Sequence, residues 1–100
     1  MIAVIFEVAF KPGKFDDYYE LAMSLKPEAE KIDGFISVER FASTTVPDKY
    51  VSISYWRDED AVAQWKAHLK HKAAQDKGKA EIFSDYRILV TEVIRDYGLQ

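Results

Sequence analysis

The chain begins with MIAVIFEVAF (residues 1–10), which is apolar at every position except Glu7. β-Branched and aromatic residues in so short a run predict a β-strand. Both alternating sets of positions are apolar, since Ile2, Val4, Phe6, Val8 and Phe10 form one set and Ala3, Ile5 and Ala9 the other. A strand that is apolar on both sides is expected to be covered on both faces.

The pattern changes after this strand to the spacing of a helix. Apolar residues recur at every third or fourth position over residues 14–32, which predicts an amphipathic helix. Pro27 lies inside this segment, so we expect a kink or a break near Lys26.

Three more strands and a second helix complete the pattern. The apolar stripe of the second helix includes Trp65 and Leu69, and Asp58 is a suitable N-cap for it. The final strand, like the first, is apolar in both alternating sets. The predicted strands are residues 35–41, 50–56 and 85–95, and the helix lies between the last two.

The resulting order, β-α-β-β-α-β, predicts an α+β fold of the ferredoxin-like type. Such a fold has a four-stranded antiparallel sheet with both helices on one face. The apolar residues on the other face of the first and last strands would then form a large exposed patch, which is unusual for a monomer. A second copy of the same sheet is the simplest cover, so we expect a homodimer whose two sheets face each other.

Length, charge and composition exclude several classes of protein. One hundred residues predict a single domain over residues 1–100, and the absence of cysteine excludes disulfide scaffolds, thiolate metal sites and cysteine nucleophiles. A net charge of -3 argues against nucleic-acid binding. No apolar run is long enough for a membrane span, and the start lacks the basic region of a signal peptide. We therefore expect a cytoplasmic protein that binds neither nucleic acid nor membrane.

The sequence contains no pattern for a common cofactor. Its four glycines form neither a phosphate-binding loop nor a dinucleotide fingerprint. His68 and His71 are three residues apart on the second helix, but no third metal ligand is evident at helical spacing, and Gln75 is a poor one. We therefore expect no metal and no cofactor.

The second helix carries the candidate catalytic residues. Trp65 lies on its apolar stripe, and His68 lies at the edge of that stripe, where its side chain can reach a cavity between helix and sheet. Histidine exchanges a proton near neutral pH, so His68 is the candidate base. Gln75 lies at nearly the same angle around the helix. The alternative is purely structural, with Trp65 in the core, His68 at its boundary and Gln75 at the helix end.

Aromatic residues supply the candidate substrate contacts. An apolar pocket of this kind suits a flat apolar ligand with one or two polar anchors rather than a phosphorylated or strongly charged one. Taken singly, each of these aromatic residues is more typical of the core than of a substrate pocket. The predicted substrate-binding residues are Phe6, Tyr55, His71, Phe83 and Tyr86.

Several stretches together resemble a known family. They are SYWRDEDA (residues 54–61), the W-x-x-H-x-x-H-x-A-A-Q run (residues 65–75), Gly78, FSDYR (residues 83–87) and VIRDY (residues 93–97). They resemble the antibiotic biosynthesis monooxygenase domain family over essentially the whole chain. The resemblance implies a dimeric α+β barrel built from two ferredoxin-like protomers.

The resemblance also implies two kinds of activity. Some members of the family are cofactor-independent oxygenases that oxidise aromatic polyketides or quinols with dioxygen. A related branch binds and degrades haem with an Asn on the first strand, a Trp on the second helix and an axial His further along it. Trp65 matches the Trp, but the axial position falls at or near Gln75 and the first-strand position at Phe6 or Glu7. Because Gln is not an effective haem ligand, this route is disfavoured.

Two functional hypotheses follow from these residues. As an enzyme, the protein would be a cofactor-independent monooxygenase of an aromatic or quinol-type molecule, with His68 as the base, Trp65 and Tyr86 as walls and Gln75 polarising a carbonyl. As a non-enzyme, it would be a dimeric small-ligand-binding or stress-protective protein that uses the same pocket.

Overall fold

The structure, a computed structural model, describes residues 1–75 and 83–99, with residues 70–75 described by their helical backbone alone. Its elements follow the predicted order, βαββαβ. The four strands form one antiparallel sheet in the order β2-β3-β1-β4, which confirms the ferredoxin-like fold. The elements are β1 (Ile2–Phe10), α1 (Phe15–Glu30), β2 (Phe35–Ala42), β3 (Lys49–Trp56), α2 (Glu59–Gln75) and β4 (Phe83–Glu92).

Two predicted boundaries are wrong. Helix α1 continues through Pro27 to Glu30, so of the predicted kink or break near Lys26 the break is absent, although Pro27 can donate no backbone hydrogen bond to the preceding turn. Strand β4 begins at Phe83 and ends at Glu92 instead of spanning residues 85–95. The apolar residues Val93 and Ile94 continue the pattern of β4 without continuing its strand.

The start of α2 agrees with the predicted cap. The carboxylate of Asp58 accepts a hydrogen bond of 2.9 Å from the backbone N–H of Ala61. This bond, followed by the contact with Arg57, holds the pKa of Asp58 below its usual value. Asp58 therefore satisfies one of the free N–H groups at the first turn of the helix.

The register of the sheet separates a helix-covered face from an open face. Phe6 of β1 lies opposite Ser52 of β3 and Ile88 of β4, so these three side chains share one face. Ile5 lies opposite Ile53 and Leu89 on the other face. The helix-covered face contains the residues of β1 with even numbers, among them Val8 and Phe10, which are buried.

One end of the helix-covered face is packed with aromatic rings. Phe10 is 3% exposed, and its ring centroid lies 5.3 Å from that of Tyr18 on α1 and 5.3 Å from that of Tyr50 on β3. Phe15 lies against both Phe10 and Tyr50. We call Phe10, Phe15, Tyr18 and Tyr50 the aromatic cluster.

The other end of this face holds a second core around Trp56. Trp56 is buried with Ile2, Ala29 and Ala61, and its ring stacks on that of Trp65 with 6.0 Å between the centroids. Ala61 places the first turn of α2 directly against this core. The two cores thus lie under different parts of the helix layer.

Gly34, between α1 and β2, lies very close to the start of α2. Its φ is 101°, a left-handed conformation that glycine adopts without strain. A Cβ atom at this position would lie 2.8 Å from the Cβ of Ala61, closer than two carbons can approach. The backbone N–H of Arg57 donates a 2.7 Å hydrogen bond to the carbonyl of Gly34, which fixes this contact.

The open face of the sheet combines apolar residues with one group of charges. Arg87 of β4 donates hydrogen bonds to the carboxylate of Glu7, and Lys49 lies 3.9 Å from the same carboxylate. Beyond β4, the backbone N–H of Val93 donates a hydrogen bond to the carbonyl of Met1, and Tyr97 and Leu99 are largely exposed. Neither helix, over its described residues, combines the length and the hydropathy that a membrane crossing requires.

Candidate functional site

A cavity of about 410 Å³ lies between the helices and the sheet. Val4, Phe6, Ile88 and Val90 form its apolar floor on β1 and β4, and both helices contribute to its roof. Ile88 lines the cavity and is nevertheless 54% exposed, so within the described residues the cavity opens to solvent beside the edge strand β4. This volume is in the range of small-molecule sites in proteins.

Strand β3 explains why the cavity exists. Its helix-facing residues are Tyr50, Ser52, Ser54 and Trp56, so two large rings flank two small hydroxyl side chains. The serines leave unfilled the volume that larger side chains would occupy, and both line the cavity. Trp56 Nε1 donates a hydrogen bond of 2.9 Å to Ser54 Oγ, which orients the hydroxyl of Ser54. The cavity wall therefore offers polar anchors within an apolar surface.

Trp65 lines the cavity, and His68 lies directly behind it. The His68 ring stacks on the Trp65 ring with 5.5 Å between their centroids. His68 Nε2 lies 3.2 Å from Glu28 Oε1 on α1, and the His68 side chain is 37% exposed. In the tautomer with the proton on Nε2, the Nε2–H group donates a hydrogen bond to Glu28 Oε1. Nδ1 then has a free lone pair that can accept a proton. The contacts with Glu28 and Trp65 fix the orientation of the His68 ring, which is not among the described residues that line the cavity.

The other predicted site residues fall into three groups. Phe6 lines the cavity, and its ring contacts Phe83 and Tyr86 in edge geometry, with centroids 6.2 Å and 6.0 Å away. Phe83 and Tyr86 therefore support a cavity wall without lining the cavity. Tyr55 pairs with Ala3 and lies on the open face, away from the cavity. The side chains of His71 and Gln75, and all of Gly78, lie outside the described residues.

Sequence reasoning missed the cations of the cavity. The side chains of Lys26, Arg40 and Lys66 line it, and its described lining contains no Asp or Glu. The sequence led us to expect a pocket that does not suit strongly charged ligands, whereas the cavity wall contains three positively charged side chains. The available signal was the parity of β2, since Arg40 occupies the same alternating set as Val38. Ser52 and Ser54, on the same parity as Trp56, were the corresponding signal in β3.

The described residues do not form a metal centre. No three His, Asp or Glu side chains come together within the part of the chain that the structure describes. His68 has a carboxylate partner in Glu28 instead. The imidazole of His68, held by this contact beside the apolar cavity, is a group that can accept a proton.

Comparison with known proteins assigns the family. The family model "Antibiotic biosynthesis monooxygenase" matches residues 1–77. Jasmonate monooxygenase ABM of Pyricularia oryzae is 42% identical over 93 residues, which are 93% of this chain, and the chain spans 43% of the length of that relative.

Solved structures show the same fold at low sequence identity. A putative antibiotic biosynthesis monooxygenase from Deinococcus radiodurans superposes with a TM-score of 0.83 at 14% identity and covers 100% of this chain and 99% of its own. SnoaB, a cofactor-independent oxygenase from Streptomyces nogalater, was solved as the mutant N63A and superposes with a TM-score of 0.78 at 13% identity, over 95% of this chain and 94% of its own. These structures show the fold, and the match of the family model over residues 1–77 shows that the chain belongs to the antibiotic biosynthesis monooxygenase family.

Proposed function

We propose that this protein is a cofactor-independent monooxygenase that oxidises an aromatic or quinol-type small molecule with dioxygen in the cavity between helices and sheet. The observation that carries the proposal is the apolar cavity of about 410 Å³ beside an oriented histidine. Membership of the monooxygenase family and the jasmonate monooxygenase relative support oxygenation as the reaction type.

The proposed reaction balances without an external reductant. A substrate carbon that carries two hydrogens becomes a carbonyl, one oxygen atom of dioxygen enters the substrate, and the other oxygen leaves as water with those two hydrogens. The substrate supplies all four electrons. Removal of a proton makes the substrate electron-rich and favours the first electron transfer to dioxygen, so a base beside the cavity is the group that the reaction needs most.

We assign the proton transfer to His68. Glu28 holds its Nε2, and its ring is stacked on Trp65, whose indole forms part of the cavity wall. Because His68 lies behind Trp65, the substrate proton would reach Nδ1 past the edge of the indole, directly or through one water. Trp65 would stack on the substrate ring, and Gln75 and His71 keep the polarising and binding roles that the sequence predicts for them.

Replacement of His68 tests this assignment. Oxygen consumption is measured with a panel of quinols and with jasmonate, and His68→Ala is compared with the unmodified protein on a substrate that the latter oxidises. Loss of a general base is expected to lower kcat by roughly 10²-fold or more. His71→Ala removes the other histidine of the same helix and is expected to lower kcat much less, because the role predicted for His71 is substrate binding and not proton transfer. Equal turnover by the unmodified protein and His68→Ala would contradict a catalytic role.

A second function is favoured by one observation. His68 contacts Glu28 and is not among the described residues that line the cavity. This arrangement is what we would expect of a binding protein that needs no base. Such a protein would hold its ligand in the same cavity without consuming oxygen. Native mass spectrometry of the purified protein distinguishes the two, because a binding protein retains an unaltered small molecule and an oxygenase releases an oxidised one.

Haem does not fit the described residues. Phe6 presents an aromatic ring to the cavity where the haem-degrading branch has an Asn, and Glu7, the alternative position, faces the open side of the sheet. The position of the axial His is occupied by Gln75. Titration of the purified protein with haem is expected to give no stoichiometric Soret band, and such a band lost on replacement of His68 or His71 would contradict this.

We also propose that two copies of the chain form a homodimer through the open faces of their sheets. The apolar residues of this face, such as Ile5, Ile53 and Leu89, and the exposed Tyr97 and Leu99 beyond β4 support this arrangement. Sedimentation at micromolar concentration is expected to give twice the mass of one chain, and a stable monomer would contradict it.

A further inference from the structure

We infer that the substrate of this cavity is an apolar molecule with one carboxylate, which Arg40 binds. The inference rests on the proposed function only in taking the cavity as the substrate site. It assigns to Arg40 the recognition of an anionic group, and to the apolar floor of β1 and β4 the recognition of the rest of the molecule.

The position of Arg40 carries the first step. Arg40 lies two residues before the end of β2, on the helix-covered face, where its register partner on β3 is Ser52. The Arg40 side chain is half-buried and lines the cavity, and Ser52 is 8% exposed and lines it as well. A half-buried guanidinium on the wall of an apolar cavity loses part of its hydration, and this loss costs free energy unless an anion approaches.

The ion pairs of two other arginines carry the second step. Arg57 binds the carboxylates of Asp33 and Asp58, and Arg87 binds that of Glu7. No carboxylate lies within 4 Å of a nitrogen of Arg40 among the side chains that the structure describes. The half-buried arginine on the cavity wall is therefore available to a ligand, whereas Arg57 and Arg87 on the surface are engaged.

The surroundings of Arg40 carry the third step. The hydroxyl of Tyr18 is buried, and Arg40 is the charged side chain close to it. Burial raises the pKa of this hydroxyl, and the charge of the nearby Arg40 acts in the opposite direction. The charge of Arg40 therefore acts in a region of low polarity, where electrostatic attraction is stronger than in water.

The chemistry of the ligand follows from these contacts. The planar guanidinium presents paired N–H donors that match the two oxygens of a carboxylate. Lys26 and Lys66 also line the cavity, but they are exposed residues of the helices and remain hydrated. They add positive potential, which attracts an anion toward the cavity, while the half-buried Arg40 supplies the direct contact.

A matched pair of probes tests the inference by binding alone. The two tryptophans of the chain, Trp56 and Trp65, both line the cavity, so a bound ligand changes the intrinsic fluorescence. The full chain is titrated with decanoate and with decanamide, which share the alkyl chain and differ in charge. We expect decanoate to bind at least about tenfold more tightly, the range of a charge-assisted hydrogen bond.

Two variants separate Arg40 from a general charge effect. Arg40→Gln is expected to bind both probes with about the same affinity, because the direct contact with the carboxylate is lost. Lys66→Gln removes one positive charge from the same cavity and is expected to keep most of the preference for decanoate. Circular dichroism and the midpoint of thermal unfolding show whether each variant keeps the fold, and Arg40→Lys, which keeps the charge without the paired donors, replaces Arg40→Gln if that variant unfolds.

The binding experiments test the role of Arg40 separately from the monooxygenase reaction. Failure to bind decanoate, equal affinity of the unmodified protein for both probes, or an undiminished preference in the Arg40 variant would overturn the inference. Arg40-dependent binding of decanoate supports it even if no substrate consumes oxygen, and in that case only the monooxygenase proposal fails.

Discussion

One end of the space between the helices and the sheet is filled with aromatic rings, whereas its middle is left as a cavity. Both regions lie on the same face of the same strands. In the aromatic cluster, Phe10 and Tyr18 stack with 5.3 Å between ring centroids. Ser54 lies four residues after Tyr50 on β3. Its small side chain leaves empty the space that the ring of Tyr50 fills in the aromatic cluster.

The difference shows that side-chain volume on one alternating set decides which region is core and which is site. Helices and sheet cover both regions, so the backbone alone does not distinguish them. The large rings of Tyr50 and Trp56 lie between the helices and the sheet. The two serines between them on β3 are too small to fill the space that remains. The packed rings of the aromatic cluster stabilise the fold. The side chains around the cavity contribute less to stability, because an unfilled region lacks dispersion contacts.

The largest effect is expected from removing a ring of the aromatic cluster. Phe10→Ala deletes a side chain that is 3% exposed, and we expect it to lower the free energy of unfolding by about 3–5 kcal/mol. Ile88→Ala, at a cavity residue that is 54% exposed, is the control and is expected to cost about 1 kcal/mol, because its surroundings are already open. Urea unfolding measures both. Equal costs would contradict the distinction between a filled and an open region.

An intermediate effect is expected from filling the cavity. Ser52→Leu places a larger apolar side chain where Ser52 lines the cavity, and we expect about tenfold weaker binding of decanoate, since the ligand and the new side chain compete for the same volume. The free energy of unfolding is expected to change by no more than about 1.5 kcal/mol. Ser24→Leu, on the exposed surface of α1, is the control and leaves binding unchanged. Unchanged binding by Ser52→Leu would show that the ligand lies elsewhere.

The smallest effect concerns the hydroxyl of Tyr18, which is buried in the aromatic cluster. Its pKa is raised in the folded protein, chiefly by burial, while an unfolded tyrosine loses its proton near pH 10. This stabilising contribution is therefore complete below about pH 10 and decreases as the pH rises through the folded pKa. We expect the free energy of unfolding to fall less between pH 8 and pH 11 in Tyr18→Phe than in the unmodified protein.

A control for this prediction lies in the next residue of the same helix. Tyr19 is exposed, so Tyr19→Phe is expected to show the same alkaline fall as the unmodified protein. An equal fall in all three proteins would mean that the burial of Tyr18 makes no difference to alkaline stability.

The fold could be predicted from the sequence because its signals are local. Alternation and helical spacing predicted the order of the elements, and Asp58 predicted the start of α2. The continuity of α1 through Pro27 could not be predicted in this way, because packing of Ala22 and Ala29 against the rest of the molecule acts on both sides of the proline. Likewise, the end of β4 depends on its pairing with β1, which itself begins at Ile2.

The site was predictable only in part. Trp65 could be found because it lies on the apolar stripe of α2, and Phe6 because it is a large ring in the short apolar run of β1. Glu28 could not, because its contact with His68 joins residues on two helices, forty positions apart. Arg40 and Ser52 could not be predicted from the spacing of apolar residues, because they are polar residues within the alternating sets that face the cavity.

The close approach of Gly34 to Ala61 separates the positions that set the size of this site from those that set its selectivity. Any side chain at Gly34 would push the first turn of α2 away from the sheet, and every residue that this helix contributes to the cavity would move with it. A change at Leu69, two turns along, alters one patch of wall and leaves the helix where it is. In this chain a substitution at Leu69 is therefore expected to change which ligand fits, while Gly34 keeps the distance between α2 and the sheet constant.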